Sequence, residues 1–275
     1  PRQDWSEAID NRVLYGREEE SNKLEKWLTK DKHKVVSIFG IGGIGKTGLA
    51  VSIAHQVASH FDFVIFRSLH NAPPLGELLD SLLRFLLNGQ PANLPTLQSE
   101  KIVLLMKYLR NYRCLLVLDN METIMQAGLV AGEFNEGYTD YGDFIRRISE
   151  FSHRSCLLIT SRERLRQSAS REDKNGHVRS LALKGLDNKS CQAILHSMNI
   201  PSDEVQSEIL NQHYSGNPLA LKLIAEPIKE MFGGALGAFI DSKIFLYGDG
   251  EIRYILDQHF DRLSVVEQDI LYWLA

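Results

Sequence analysis

Three cysteines in 275 residues, no excess of basic over acidic side chains and no run of about 18 uncharged apolar residues remove several function classes at once. Cys114, Cys156 and Cys191 are odd in number, lack metal-ligand spacing and sit in or beside apolar runs. Neither a disulfide framework nor a cysteine-held metal is expected, and the thiols read as core residues in a reducing compartment. Without a long apolar run or a signal peptide at the start, no membrane partner is expected and the cytoplasm is the expected location. Thirty-one Lys and Arg stand against 35 Asp and Glu, a net charge of −4. Such a chain has no general field to attract nucleic acid, which is not an expected partner unless a local basic patch supplies one. Internal repeats and low-complexity tracts are also missing. The sequence starts at Pro1 without methionine and stops inside the apolar helical pattern of residues 271–275, so a piece of something longer is expected.

Glycine, by contrast, is concentrated in one place. GIGGIGKTGLA, residues 40–50, puts Gly40, Gly42, Gly43 and Gly45 within six positions, ahead of Lys46 and Thr47. Glycine loses the most backbone entropy on folding and contributes no packing, so this density points to a ligand that must touch the backbone. Val35, Val36, Ile38 and Phe39 before it read as a buried strand, and Leu49, Ala50, Ile53, Ala54 and Val57 after it recur at helical spacing. Strand, glycine loop and helix in this order fit G-x-x-x-x-G-K-[ST], a phosphate-binding loop. Gly40, Gly42, Gly43, Ile44, Gly45, Lys46, Thr47 and Gly48 are therefore assigned to a bound nucleotide. Backbone N–H groups and the helix N-terminus would surround phosphate, Lys46 would reach the β- and γ-phosphates, and the Thr47 hydroxyl would ligate Mg²⁺.

Further strands are expected near residues 61–67, 114–118, 156–160 and, more weakly, 179–183, with helices near 75–88, 96–110 and 141–151 and a loop over 127–141. Residues 114–118 and 156–160 are almost wholly apolar, as strands buried on both faces of a parallel sheet are. The alternation implies an α/β fold with a doubly wound parallel sheet. Beyond Gly185 only helices are expected, at 188–198, 202–213, 218–231, 249–259 and 263–274.

Asp119 ends one buried strand, where a carboxylate points into the ligand crevice and would supply the second magnesium contact; the plain alternative is an Asp-Asn turn. Asn120 follows at a place where hydrolytic relatives often carry an acidic base, so turnover is expected to be slow; Glu122 is the nearest other carboxylate. Arg162, after the other buried strand, would sense the γ-phosphate or else open a surface helix. Lys46, Asp119 and Arg162 form the expected catalytic group, with Thr47 and Asp119 on the metal. Tyr15-Gly16-Arg17-Glu18 and Gly216-Asn217-Pro218-Leu219-Ala220 each read by themselves as helix starts, with Pro218 at the first helical position. Asn188-Lys189-Ser190-Cys191 lacks the aspartate of a guanine-reading motif, which favours adenine.

In this order, Tyr15-Gly16-Arg17-Glu18, GIGGIGKT, LLVLDN, LLITSR, GNPLA and HFDRLSVVEQDILYWLA resemble the NB-ARC family of STAND P-loop ATPases. That family includes plant disease-resistance proteins, the apoptotic protease-activating factor and many bacterial regulators, and the phrasing is most similar to multidomain cyanobacterial members. The resemblance implies a P-loop NTPase domain over 1–187, a small helical domain over 188–247 and the start of a winged-helix domain over 248–275. It implies that Tyr15, Gly16 and Arg17 lie beside adenine and ribose, and that Pro218 and Leu219 meet the nucleotide from the helical domain. The family's Met-His-Asp-type motif is outside this sequence, so a complete closed-state lock is not expected.

The function so implied is an ATP/ADP-binding, Mg²⁺-dependent regulatory switch with weak ATPase activity. ADP would hold it closed; ATP would open it, allow self-association of the full-length protein and signal through effector and sensor domains elsewhere. The alternatives are an AAA-type remodelling ATPase with sustained turnover and a STAND-type transcription regulator. For the latter, residues 251–275 offer only Arg253, His259 and Arg262 as basic side chains, poor footing on DNA phosphate.

Overall fold

The computed structural model describes residues 1–5, 8, 14–88, 94–126, 132–165, 176–242 and 268. Six parallel strands form one sheet: β1 (Arg2–Asp4), β2 (Val35–Phe39), β3 (Phe63–Ser68), β4 (Cys114–Asp119), β5 (Cys156–Ser161) and β6 (Val178–Ala182), in the spatial order β1-β3-β4-β5-β2-β6. Every residue of β4 and of β5 is buried, which is why both segments carry near-continuous apolar runs. Helices α1 (Glu18–Thr29), α2 (Lys46–Val57), α3 (Leu75–Leu86), α4 (Gln98–Asn111) and α5 (Thr139–Glu150) alternate with the strands. On α3, Leu75, Leu78, Leu79, Leu82, Leu83 and Leu86 recur at three- and four-residue spacing and all enter the core. This is the α/β parallel-sheet fold that the alternation of patterns predicts.

The edge strand β1 was not expected. Arg2, Gln3 and Asp4 have no strand-forming pattern, and what holds them extended is pairing with residues 63–65 of β3 together with a 2.7 Å ion pair from Arg67 to Asp4. Where β4 begins, the buried Ser155 hydroxyl accepts from the Cys114 amide at 2.9 Å and is positioned to donate to the Leu109 or Tyr112 carbonyl. Ser155→Ala leaves the buried Cys114 amide without that acceptor, and an expected loss of about 1–3 kcal/mol follows. Urea unfolding of the two proteins checks it, and a difference under about 0.5 kcal/mol, the range of ordinary surface changes, goes against the assigned role.

The three cysteines are free and buried, as the apolar flanks suggest. Burial pushes the Cys114 thiol up to about 12 and that of Cys191 to about 11, so both stay protonated and unreactive near neutrality. Among the described residues no helix is long and apolar enough to cross a membrane.

Contacts divide the chain into two compact units. One comprises residues 1–12, 20–39 and 46–182 and holds the sheet; the other comprises 13–19, 40–45 and 183–275. The second is built from α6 (Asn188–Ser197), α7 (Glu204–Tyr214), α8 (Pro218–Phe232) and α9 (Leu236–Asp241) around Ile194, Leu195, Leu210, Leu221, Ile224 and Phe239. Its helix starts are strongly marked. Asp187 caps α6 through the Ser190 amide, Asp203 and Gln206 form a capping box on α7, and Asn217 caps α8 ahead of Pro218. The helices expected at 249–259 and 263–274, and with them the winged-helix assignment of 248–275, lie outside the described residues.

Candidate nucleotide site

Because the strands are parallel, the carboxyl ends of β2, β4 and β5 lie on one side of the sheet, the side where open α/β folds bind ligands. β5 separates β2 from β4, with Ile38 in register with Thr160 and Leu118 with Ile159. Asp119, last in β4, is thereby brought beside Thr160 of β5 and Thr47 in the first turn of α2. The Thr160 hydroxyl donates to Asp119 Oδ1 at 2.5 Å and accepts from the Asn120 amide at 3.1 Å. The Thr47 hydroxyl lies 2.8 and 3.0 Å from the two oxygens of the same carboxylate. Burial pushes the Asp119 pKa up; the bonds from Thr160 and Thr47 oppose that, Glu122 adds to it and Lys46 opposes it.

Lys46, the first residue of α2, is buried, and its amine is lowered to about 8. Burial is the main cause; Glu122 and Asp119 pull it back up and Arg162 pushes it further down. Glu122 reaches this group by a local device. Asn120 takes a left-handed conformation at φ 62°, which Asn tolerates better than most residues, and the 3-10 turn Met121–Ile124 then turns Glu122 inward to 6% exposure. Its carboxylate accepts from the Arg162 amide at 3.2 Å and pairs with Arg162 Nε at 3.3 Å. Residues 162–165 are not helical, and the stretch that would continue a helix from Arg162 lies outside the described residues. Sequence reasoning named Glu122 only as a spare carboxylate; its pairing with Arg162 had no local signal.

The glycine loop, residues 40–45, belongs to the second compact unit. Arg17, 4% exposed, donates through Nη2 to the carbonyls of Ile44 at 3.0 Å and Lys184 at 2.8 Å. Asn217 Nδ2 donates to the Gly42 carbonyl at 2.9 Å, and the Leu219 amide approaches the Gly43 carbonyl at 3.4 Å. Gly43 sits at φ +75°, and a Cβ there would meet Leu219 Cβ at 2.8 Å, so the approach of α8 to the loop requires glycine. Tyr15 packs on the core of this unit, Gly16 lies against Ser190, Pro218 is half-buried at the first position of α8, and Leu219 is partly exposed. Of the sequence-derived candidates, Lys46, Thr47, Asp119 and Arg162 therefore stand together in the first unit, and Tyr15, Gly16, Arg17, Pro218 and Leu219 in the second with the loop. Asn217 was not singled out; as Asn before Pro at a helix start it carried a capping signal and nothing that named its partner.

The donors suit a magnesium nucleotide. Among the described residues no group of three or more His, Cys, Asp or Glu could hold a metal alone. Mg²⁺ commonly takes one or two carboxylates and completes its octahedron with water and substrate phosphate, and the Thr47 hydroxyl beside Asp119 is such an oxygen-only pair. A buried amine at a helix N-terminus after a glycine loop is likewise the donor set that phosphate requires.

Comparison with known proteins follows the same line. Residues 17–130 match the NB-ARC domain family. The chain is 39% identical over its whole length to an uncharacterized WD repeat-containing protein of Nostoc sp., and 21% identical over 92% of its length to the disease resistance protein RPV1 of Vitis rotundifolia. It spans only 23% and 17% of those two proteins. Among solved structures, a STAND protein with a tetratricopeptide repeat sensor from Pyrococcus horikoshii superposes with a TM-score of 0.54 at 19% identity, over 98% of this chain and 35% of that one. Drosophila ORC bound to DNA gives 0.57 at 12% identity, over 95% of this chain and 67% of that one. At these identities the structures speak for the fold, an α/β P-loop NTPase-like sheet with helices. The matched segment, running from Arg17 through the glycine loop and past Asp119, thus carries the NB-ARC domain pattern, set in a chain with an α/β P-loop NTPase-like fold.

Proposed function

We propose that this chain is the nucleotide-dependent switch of a longer cytoplasmic signalling protein. It binds adenine nucleotide with Mg²⁺, stays closed with ADP, and opens with ATP to self-associate and act on effector and sensor domains outside the chain. The glycine loop and Lys46 hold phosphate, Thr47 and Asp119 hold the metal, and Arg162 reads the γ-phosphate. Tyr15, Gly16 and Arg17 with Pro218 and Leu219 serve the base and sugar side, in the domain order 1–187, 188–247 and 248–275. The WD repeats named in the Nostoc relative fit the role of a sensor or effector domain elsewhere in such a protein.

One observation carries the reading. Arg162 is held by Glu122 within electrostatic reach of Lys46, so a third phosphate offers Arg162 a new anionic partner that ADP does not. A ligand shifts a two-state equilibrium only through such differential contacts. Asn120 in place of an acidic base agrees with slow hydrolysis.

Mass spectrometry of the nucleotide released from the purified chain, paired with a multi-turnover assay in ATP and Mg²⁺, tests this. The expected result is retained ADP in near-stoichiometric amount and turnover well below about 1 s⁻¹, the lower end of ordinary enzymes. Sustained turnover at or above that rate overturns the switch in favour of a remodelling ATPase. A chain that neither retains nor binds adenine nucleotide overturns the site itself.

A further inference from the structure

We propose that Asn217 is a positioning residue for the glycine loop, holding the Gly42 carbonyl so that the backbone amides that follow face phosphate. This rests on the nucleotide reading above and extends it to a residue without any role in it. Three consecutive loop carbonyls have donors within the second unit: Gly42 from Asn217 Nδ2, Gly43 from the Leu219 amide and Ile44 from Arg17 Nη2. The peptide bonds here are trans. In a trans peptide the carbonyl of one residue and the N–H of the next point in opposite directions. Tying the carbonyls of 42, 43 and 44 to one side therefore turns the N–H groups of Gly43, Ile44 and Gly45 to the other. Successive N–H groups on one side of a loop make an anion-binding nest. The Ile44 amide also lies 3.4 Å from the Ile41 carbonyl, a long contact that an incoming oxygen can replace.

Asparagine is the residue that fits both tasks. At 7% exposure its Oδ1 accepts from the Leu219 amide at 3.0 Å and the Ala220 amide at 3.3 Å, capping α8, while Nδ2 donates to Gly42 at 2.9 Å. Aspartate keeps the cap and has no donor for the loop. Serine keeps the cap and is too short to reach the carbonyl. These two changes separate the cap from the loop contact.

The parent chain, Asn217→Asp and Asn217→Ser are compared in three measurements: apo thermal midpoint, affinity for ADP with Mg²⁺, and affinity for inorganic pyrophosphate, which has phosphates and no base or sugar. Expected are midpoints within a few degrees of the parent, since both replacements are good caps, and affinities for ADP and pyrophosphate weakened by the same factor, about fivefold to tenfold, the scale of one hydrogen bond. Full parent affinity in either folded variant overturns the proposal. So does a loss confined to ADP, which makes Asn217 a contact for the base or sugar. If one variant does not fold, the other still decides. A parent that binds neither probe removes the nucleotide reading itself, an outcome distinct from variants that bind as the parent does.

Discussion

Lys46→Ala is expected to leave the chain folded and to weaken ADP binding at least about a hundredfold, a change of about 2.7 kcal/mol. Two facts make the effect large. The amine occupies the position of the P-loop lysine, and it is buried, so bonds from it to a bound phosphate would be charge-assisted and poorly replaced by water. Each such bond contributes about 1.5–3 kcal/mol, and removing the amine removes more than one. Stability moves the other way. In the folded chain the amine titrates at about 8, below the roughly 10.4 of an unfolded lysine. Between those values the unfolded chain holds a proton that the folded chain has released, so this group's contribution to stability rises with pH across the window and is at its least favourable below about 8. Alanine removes that unfavourable charge, so the apo variant should unfold at pH 7 no earlier than the parent, apart from the packing of the lysine stem. Isothermal titration with ADP, run beside thermal unfolding, checks both halves. Unchanged affinity in a folded variant sinks the phosphate-loop assignment.

What the sequence disclosed and what it hid divide along a physical line. β4 and β5 were legible because strands buried on both faces leave little room for polar residues, and the runs end sharply at Asp119 and Ser161. The glycine loop was legible because close backbone approach needs glycine and few other demands produce so many together. The start of α8 was legible from Asn217-Pro218, a cap followed by a residue that needs no amide partner. β1 was hidden because Arg2–Asp4 is extended by pairing and one ion pair rather than by its own preferences. Asn217 and Glu122 were hidden differently: each partner lies far along the chain, 175 residues for Gly42 and 40 for Arg162, and no local pattern encodes such a pair. The resemblance directed attention to Pro218, whereas the side-chain tie to the loop comes from the residue before it. Nor does periodicity say that residues 40–45 cluster with the helices instead of the sheet from which they emerge.

Asp119→Asn is expected to lower Mg²⁺-dependent ATP hydrolysis about a hundredfold, near 2.7 kcal/mol in barrier, while changing ADP affinity in the absence of Mg²⁺ less than about threefold. The asymmetry follows from where the carboxylate acts. Its two oxygens meet the hydroxyls of Thr47 and Thr160 at 2.5–3.0 Å, so in the chain alone it is a hydrogen-bond acceptor, a task that asparagine shares through one oxygen. What asparagine cannot supply is the negative charge that would be needed to hold Mg²⁺ beside a bound nucleotide's phosphates. Folding should tolerate the change. Burial is the largest influence on Asp119 and pushes its pKa up, so the folded chain keeps this proton to higher pH than the unfolded chain does. The group's contribution to stability therefore declines as pH rises through the interval between the two values, and above it the buried charge is unfavourable. A neutral amide at pH 7 removes that burden while its NH₂ group must face one of the two hydroxyls as a donor, and these hydroxyls can rotate to accept. Hydrolysis rates and ATP affinity across a Mg²⁺ titration, with ADP in EDTA as the control, separate the metal role from a structural one. Equal losses with and without Mg²⁺ make Asp119 a packing residue of the crevice. An unchanged Mg²⁺ dependence moves the metal to Glu122, and Glu122→Gln should then show the loss that Asp119→Asn did not.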